Sequence, residues 1–199
     1  MIENDMKKKV KLEVLEISQG TMANNPYLLI LREANGSRKL SVMVGSFEAQ
    51  SILLCMRGLQ APRPLMHDLY VSTIEAYNIQ LREVIIYKVV DGVYHSYLIL
   101  DQNGYLEQID TRTSDAIALA LRCNAPIYTW EDLIMREHIY EDSNGSISIP
   151  ISSVNLSVLH EALERAIKEE NYELAAQLRD EIERRKGKNA HTTQSPHTP

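Results

Sequence analysis

Apolar and polar residues alternate through KVKLEVLEIS (9 to 18), a period of two that predicts a strand with one wet face. YLLILRE (27 to 33) and RKLSVMV (38 to 44) are denser apolar runs, and Asn35-Gly36-Ser37 between them supplies a turn. The pattern then changes. SFEAQSILLCMRG (46 to 58) reads as a helix, with Ser46 placed to cap its start and Gly58 to stop it. The prolines of QAPRP interrupt the chain, and LMHDLYVSTIEAYN (65 to 78) predicts a second helix. REVIIYKVV and VYHSYLIL flank Asp91-Gly92, a two-residue hairpin signal. YLEQID (105 to 110) is a further strand and SDAIALALRC (114 to 123) a third helix, with Ser114 as its cap. APIYTW and a short helix, EDLIMREH, close this segment. Mixed strands and helices in this order predict an α+β fold, a mixed β-sheet packed with helices.

Beyond it the pattern is purely helical. EDSNGSISIPISSVN (141 to 155) has the composition of a linker, and residues 156 to 186 predict a C-terminal α-helical hairpin. Leu159, Leu163 and Ile167 repeat every four residues, as do Leu174, Leu178 and Ile182, so two stripes can face each other. Asn171 can cap the second helix across a tight turn. Glu164 with Lys168, and Asp180 with Arg184, have the spacing of exposed ion pairs. A unit of about thirty residues buries too little surface to stand firmly alone, so the hairpin calls for a partner. That partner is a second copy, another protein or the first domain. The tail, GKNAHTTQSPHTP (187 to 199), lacks apolar residues beyond Ala190 and is expected to be disordered. The chain therefore divides into a domain over 8–140, a linker over 141–155, a hairpin over 156–186 and a tail.

Composition narrows the setting. The chain has 199 residues, 44% hydrophobic and 24% charged, as in a soluble globular protein. Its apolar runs, such as LLIL and AIALAL, are too short to span a bilayer, and the N-terminal lysines lack a signal-peptide core. A cytoplasmic location without membrane contact is the expectation. Cys55 and Cys123 belong to no CxxC pair and read as small apolar residues in a reducing compartment, with neither a zinc site nor a disulfide framework. The net charge of −6 removes the broad cationic field on which phosphate-backbone affinity rests. Nucleic-acid binding by such a chain must be local, weak or metal-bridged.

Candidate chemistry gathers at helix starts. In IDTRTSDAIALALR (109 to 122), Ser114 and Asp115 suit a cap and the positive end of a helix dipole, and Arg112 can pair with Asp110. Equally, Asp110 and Asp115 could hold a divalent cation while Arg112 clamps a phosphate oxygen. Glu48 opens its helix as Asp115 does, Glu48-Ala49 echoing Asp115-Ala116, and it too reads either as dipole compensation or as a ligand. His67 and Asp68 are consecutive on a helix and point about 100° apart, so they cannot both face one ligand squarely. His67 is either a base or metal ligand, or a partly buried histidine bonded to a carbonyl. His95 reads as a solvent-facing strand residue. Glycine-rich phosphate loops, GxSxG, HExxH and a basic-aromatic stripe are absent from the sequence.

VMVGSFEAQSI, RPLMHDL and IDTRTSDAIALALRCNAPIY, in that order and spacing, resemble the bifunctional nuclease family over about residues 10 to 138. The resemblance implies an α+β fold and cleavage of DNA and RNA, with Glu48, Arg63, His67, Asp68, Asp110, Arg112, Ser114 and Asp115 as the family-typical polar positions. LHEALERAIKEENYELAAQLRDEI is similar to the UVR motif of excision-repair subunits B and C and of some protease regulators, a hairpin that joins proteins. Together these give metal-assisted hydrolysis of phosphodiester bonds. Glu48, Asp110 and Asp115 would hold Mg²⁺ or Mn²⁺. His67, Asp68, Arg112 and Asp115 would carry the chemistry, and Arg63, Arg112 and Ser114 would contact substrate. Leu163, Ile167, Tyr172, Leu178 and Ile182 would meet a protein partner or a second copy in a homo-oligomer. The alternative is a non-enzymatic adaptor or ligand-binding regulator attached to DNA-repair or proteolysis complexes.

Overall fold

A computed structural model of the chain describes residues 8–19, 27–141, 147–148 and 150–192. Residues 1–7, Lys7 among them, part of the linker and the tail from 193 lie outside the described residues. The chain divides into two compact units, residues 1–90 with 94–149 and residues 91–93 with 150–199.

The first unit is built on a seven-stranded mixed sheet. In chain order its elements are β1 (Lys9–Gln19), β2 (Tyr27–Glu33), β3 (Lys39–Val44), α1 (Ser46–Met56), α2 (Met66–Ala76), β4 (Gln80–Val90), β5 (Val93–Gln102), β6 (Tyr105–Arg112), α3 (Thr113–Cys123), β7 (Ile127–Trp130) and α4 (Glu131–Glu137). The strand order is β3-β2-β1-β7-β4-β5-β6. Six of the strands follow one another as hairpins or meanders, but β7 slots between β1 and β4. It runs antiparallel to β1 and parallel to β4. Asp91 and Gly92 both take positive φ (51° and 78°), the conformation of a tight hairpin turn whose twist matches the flanking strands. A two-stranded ladder, β8 (Tyr140–Glu141) with β9 (Ile147–Ser148), follows.

Helix α3 organises this unit. Ala116, Ile117, Ala118, Leu119 and Ala120 are all buried, so it is apolar around its circumference rather than along one stripe. It lies between the sheet, where it packs on β3, β4 and β6, and the helices α1 and α2. Its alternate alanines let these neighbours approach closely. Because α3 is enclosed on its sides, only its ends carry polar side chains, and both ends are occupied by arginine. Arg112 sits at the start and Arg122 in the last turn.

Two caps differ from the sequence reading. Gly45, not Ser46, is the N-cap of α1, and Arg112, not Ser114, is that of α3. Helix α3 starts one residue early because the buried Thr113 hydroxyl is tied to Ser96 Oγ at 2.6 Å, which draws Thr113 into the first turn. Gly58 (φ 63°) ends the first helix as its position foretold.

The second unit contains α5 (Leu156–Lys168) and α6 (Tyr172–Thr192), which continues past Lys186. Asn155 and Asn171 cap them, accepting from Val158 N at 3.0 Å and Leu174 N at 3.2 Å. The buried seam is Leu159, Ala166, Ala175, Leu178 and Ile182, with Leu163 half-buried. Ile167 and Leu174 are exposed, contrary to the stripe read at every fourth residue. A helix turns through 3.6 residues, so a strict four-residue repeat drifts about 40° per step and leaves the seam near the hairpin tip. Arg184 pairs with Glu181 rather than with Asp180. Among the described residues no helix is long and apolar enough to cross a membrane.

Candidate functional site

Three acidic side chains occupy the same helical position. Glu48, Asp68 and Asp115 each stand three residues after an N-cap, those caps being Gly45, Leu65 and Arg112. There they face the positive end of the helix dipole. Local physics accounts for Asp68, whose Oδ2 accepts the Leu65 backbone N–H at 2.7 Å. It does not account for the other two.

Glu48 and Asp115 converge on one guanidinium. Arg112 donates from Nε to Asp115 Oδ2 at 2.7 Å and from Nη2 to Asp115 Oδ1 at 3.1 Å, while its Nη1 lies 3.0 Å from Glu48 Oε1. Arg112 therefore pairs with Asp115 and Glu48, not with Asp110. Gly45 leaves room for this arrangement, since a Cβ there would stand 2.5 Å from Glu48 Oε2. Asp115, through its bidentate bond, holds the Arg112 pKa above its ordinary value. The Arg112 side chain nevertheless remains 69% exposed.

His67 joins the cluster from α2. Its Nε2 is 3.2 Å from Asp115 Oδ1, and its Nδ1 is 2.9 Å from the hydroxyl of Ser51 on α1. The imidazole thus bonds to two side chains and not to a backbone carbonyl. Ser51 is buried and also accepts Arg122 Nη2 at 3.0 Å. Arg122 in turn donates from Nε to Asp68 Oδ1 at 2.6 Å and from Nη1 to Ala118 O at 3.0 Å. Arg122, followed by the Leu65 N–H, keeps the Asp68 carboxyl below the usual carboxylate range despite partial burial. One chain of polar contacts therefore runs Glu48–Arg112–Asp115–His67–Ser51–Arg122–Asp68. It crosses all three helices.

A cleft of about 510 Å³ opens over the first half of that chain. Glu48, Ser51, His67, Asp110, Arg112 and Asp115 line it, with apolar walls from Phe47, Met66, Tyr70, Leu98 and Ile109. Phe47, the one phenylalanine of the chain, is 83% exposed. The helix starts named by the sequence are thus brought together, with three exceptions. Asp68 lines a neighbouring cavity with Arg122, on the other side of His67. Arg63 is exposed on the loop before α2, and Ser114 lies in the first turn of α3; neither lines the cleft. Asp110 contributes to the lining, yet its Oδ1 accepts the Tyr87 hydroxyl at 3.1 Å. Tyr87 stacks on Tyr97 with ring centroids 3.8 Å apart, and His95 meets its edge at 6.1 Å. His95 is consequently half-buried, not solvent-facing, and burial lowers its pKa, with Lys88 adding to the effect.

Among the described residues no three His, Cys, Asp or Glu side chains gather closely enough to hold an ion unaided. A site of the magnesium type asks for less: one or two carboxylates, with water and substrate oxygens completing the shell. Glu48 and Asp115, already converging on a single cationic group, fit that requirement.

Sequence reasoning missed Ser51 and Arg122. Each is one polar residue in an apolar run (SILLC and ALALR), and a buried polar group must find a partner. That was the available signal.

Residues 154–186 match the UvrB/uvrC motif. An uncharacterized protein of Mycobacterium tuberculosis strain H37Rv is 41% identical over 110 residues, covering 55% of this chain and 65% of that one. Bifunctional nuclease 1 of Arabidopsis thaliana is 24% identical over 183 residues, covering 80% and 56% respectively. Bifunctional nuclease 1 of Oryza sativa subsp. japonica is 32% identical over 120 residues, covering 52% and 36%. The chain thus spans less than two thirds of the length of these relatives. Residues 29–142, more than half of the chain and including every cleft residue named above, match the bifunctional nuclease domain, and the chain belongs to that family.

Proposed function

We propose that the cleft hydrolyses phosphodiester bonds of DNA or RNA. The observation that carries this reading is the convergence of Glu48, His67, Arg112 and Asp115 on one open cleft in a chain of this family. Arg112 offers a planar donor fork that suits phosphate oxygens as well as carboxylates. Phe47 and Met66 at the rim supply apolar surface against which a base can rest, a contact usually contributing about 1–3 kcal/mol per base when an aromatic ring is used.

Charge sets a condition on entry. Glu48 and Asp115 share a single guanidinium and Asp110 adds a third carboxylate to the lining, so a polyanion needs a counter-cation there. A divalent ion held by Glu48 and Asp115 would neutralise the phosphate and lower the pKa of a bound water. The chain's own groups do the rest. Arg112 exchanges a carboxylate for a phosphate oxygen and orients the ester. Water attacks phosphorus, the P–O ester bond breaks, and a carboxylate of the cleft takes the water proton. His67 Nε2–H gives the leaving oxygen a hydrogen bond, and the proton that the carboxylate took from water passes through solvent to that oxygen, which restores the carboxylate.

The hairpin supplies docking in this reading. Ile167 and Tyr172, 54% and 69% exposed, and beside them Leu174, are apolar residues whose exposure suits a protein partner. Leu178 and Ile182 instead hold its own seam. The test is cleavage of labelled DNA and RNA with Mg²⁺ or Mn²⁺, comparing the chain with Asp115→Asn and with the double variant Asp110→Ala/Asp115→Ala. Loss of cleavage in folded variants supports the assignment, and full activity in the double variant defeats it. A folded wild-type chain that cleaves neither polymer favours the adaptor reading.

A further inference from the structure

The Ser51 hydroxyl decides where His67 carries its hydrogen. Ser51 is buried, and its Oγ has two partners, Arg122 Nη2 at 3.0 Å and His67 Nδ1 at 2.9 Å. A guanidinium donates and never accepts. Arg122 therefore consumes a lone pair of Oγ and offers nothing to its proton, which is left with one acceptor, the imidazole Nδ1. A neutral histidine that accepts at Nδ1 carries its hydrogen at Nε2. That atom stands 3.2 Å from Asp115 Oδ1 and faces the cleft.

Arg122 is fixed in this role from three sides. Asp68 Oδ1 takes its Nε at 2.6 Å, Ala118 O takes its Nη1 at 3.0 Å, and its side chain is 10% exposed. Asp68 is fixed in its turn by the Leu65 N–H. The line of donors thus runs one way, from Arg122 to Ser51 to His67 to Asp115. Reversing any one bond would leave two donors facing each other or a buried hydroxyl proton without an acceptor, and an unsatisfied buried polar group is destabilising.

We propose that Ser51, Arg122 and Asp68 are positioning residues that lock His67 as the Nε2–H tautomer, so that His67 serves the cleft as a donor and a carboxylate, not the imidazole, receives the proton of the attacking water. The assignment of roles rests on the phosphodiesterase reading above; the tautomer does not.

The experiment is a long-range ¹H–¹⁵N correlation on the full chain labelled at histidine, at about pH 8.5, two units above the ordinary imidazole pKa of about 6.5. His67 signals are assigned by their loss in His67→Gln. The proposal expects an unprotonated Nδ1 and a protonated Nε2 in the wild type, and a shift toward a tautomer mixture in Ser51→Ala and in Arg122→Lys. A wild-type His67 bearing its hydrogen on Nδ1 overturns it without any variant, as does a pattern unchanged in both variants. In the cleavage assay Ser51→Ala should lower kcat about tenfold to a hundredfold, less than the roughly 10²–10⁴-fold that an acid–base group itself contributes, with KM little changed. An altered tautomer together with an unaltered kcat removes the positioning role. A wild type that shows the tautomer but no cleavage retains the lock and discards the nuclease reading.

Discussion

Two arginines in this chain are each clasped by carboxylate, and their surroundings could hardly differ more. Arg185, in the second unit, is 0% exposed. Its Nε donates to Glu181 at 2.7 Å, its Nη1 to Val154 O at 2.5 Å, and its Nη2 to Ile151 O at 2.8 Å and Ser152 O at 3.3 Å. The guanidinium thereby ties α6 to the 3₁₀ turn Ile151–Ser153 that precedes α5. Arg112 instead is held by two carboxylates, both on side chains, and has an open face. Carbonyl acceptors cannot be exchanged without unfolding, whereas carboxylates on separate helices can release a cation to a ligand. Burial with backbone partners marks a brace; exposure with side-chain partners from distant segments marks a site.

The largest expected effect lies on the brace. Replacing Arg185 by alanine leaves three carbonyls without their donor and Glu181 with Arg184 alone, and should cost the second unit about 3–5 kcal/mol, the usual penalty for breaking a buried pair from one side. Helical signal during thermal unfolding reads this directly. Arg112→Ala should change stability by under about 1 kcal/mol, as exposed ion pairs do. The same change should reduce cleavage kcat/KM roughly a hundredfold, in line with loss of one preorganised donor. If the stability losses came out equal, the distinction between brace and site would fail.

Acid breaks the brace more gently from its other end. Arg184 first, and Arg185 with it, hold the Glu181 carboxyl at about 2, down from 4.5. A lowered folded-state value adds stability above 4.5, which is lost as pH falls through 2, because the unfolded chain binds the proton first. The full chain should therefore lose helicity in this window, and Glu181→Gln should flatten that part of the pH profile. The loss is smaller than for Arg185→Ala, since Arg185 keeps its carbonyl acceptors.

How far the sequence disclosed these features follows from the physics of each. Period-two alternation and the Asp91-Gly92 turn report on neighbours in the chain, so β1, β4 and β5 were legible to within two residues. The 100° between His67 and Asp68 is helix geometry, and it correctly sent them to different partners. What the sequence did not disclose was any contact between segments. Nothing near β7 says that it inserts between β1 and β4, and nothing near Arg112 says that Glu48, sixty-four residues earlier, meets it. Arg185 was overlooked because it falls on the drifting edge of a stripe read at four residues instead of 3.6. Ser51 and Arg122 were overlooked because an isolated polar residue beside apolar ones looks like a helix edge until its partner is known.

The smallest effect separates two aspartates that the sequence treated alike. Asp115 is shared between Arg112 and His67, while Asp110 accepts the Tyr87 hydroxyl at 3.1 Å. Asp110 is paired with Tyr97 across the β5–β6 ladder, and successive strand residues point to opposite faces. Its carboxylate therefore shares the face of the stacked Tyr87–Tyr97 pair, apart from that of Leu98 and Ile109. Burial first, then Tyr97 and Asp110, push the Tyr87 pKa upward, so its hydroxyl stays a donor through the working pH range. Tyr87→Phe removes the bond to Asp110 and keeps the ring for the stack, and should cost about 0.5–1.5 kcal/mol, the net worth of an ordinary hydrogen bond. Cleavage should stay within about twofold of wild type, whereas Asp115→Asn, which loosens both Arg112 and His67, should lose most of it, in line with a factor of 10²–10³ for one preorganised group. If Tyr87→Phe lowered the rate as far as Asp115→Asn does, Asp110 would belong to the working group of the cleft after all, and the tyrosine would be its orienting partner.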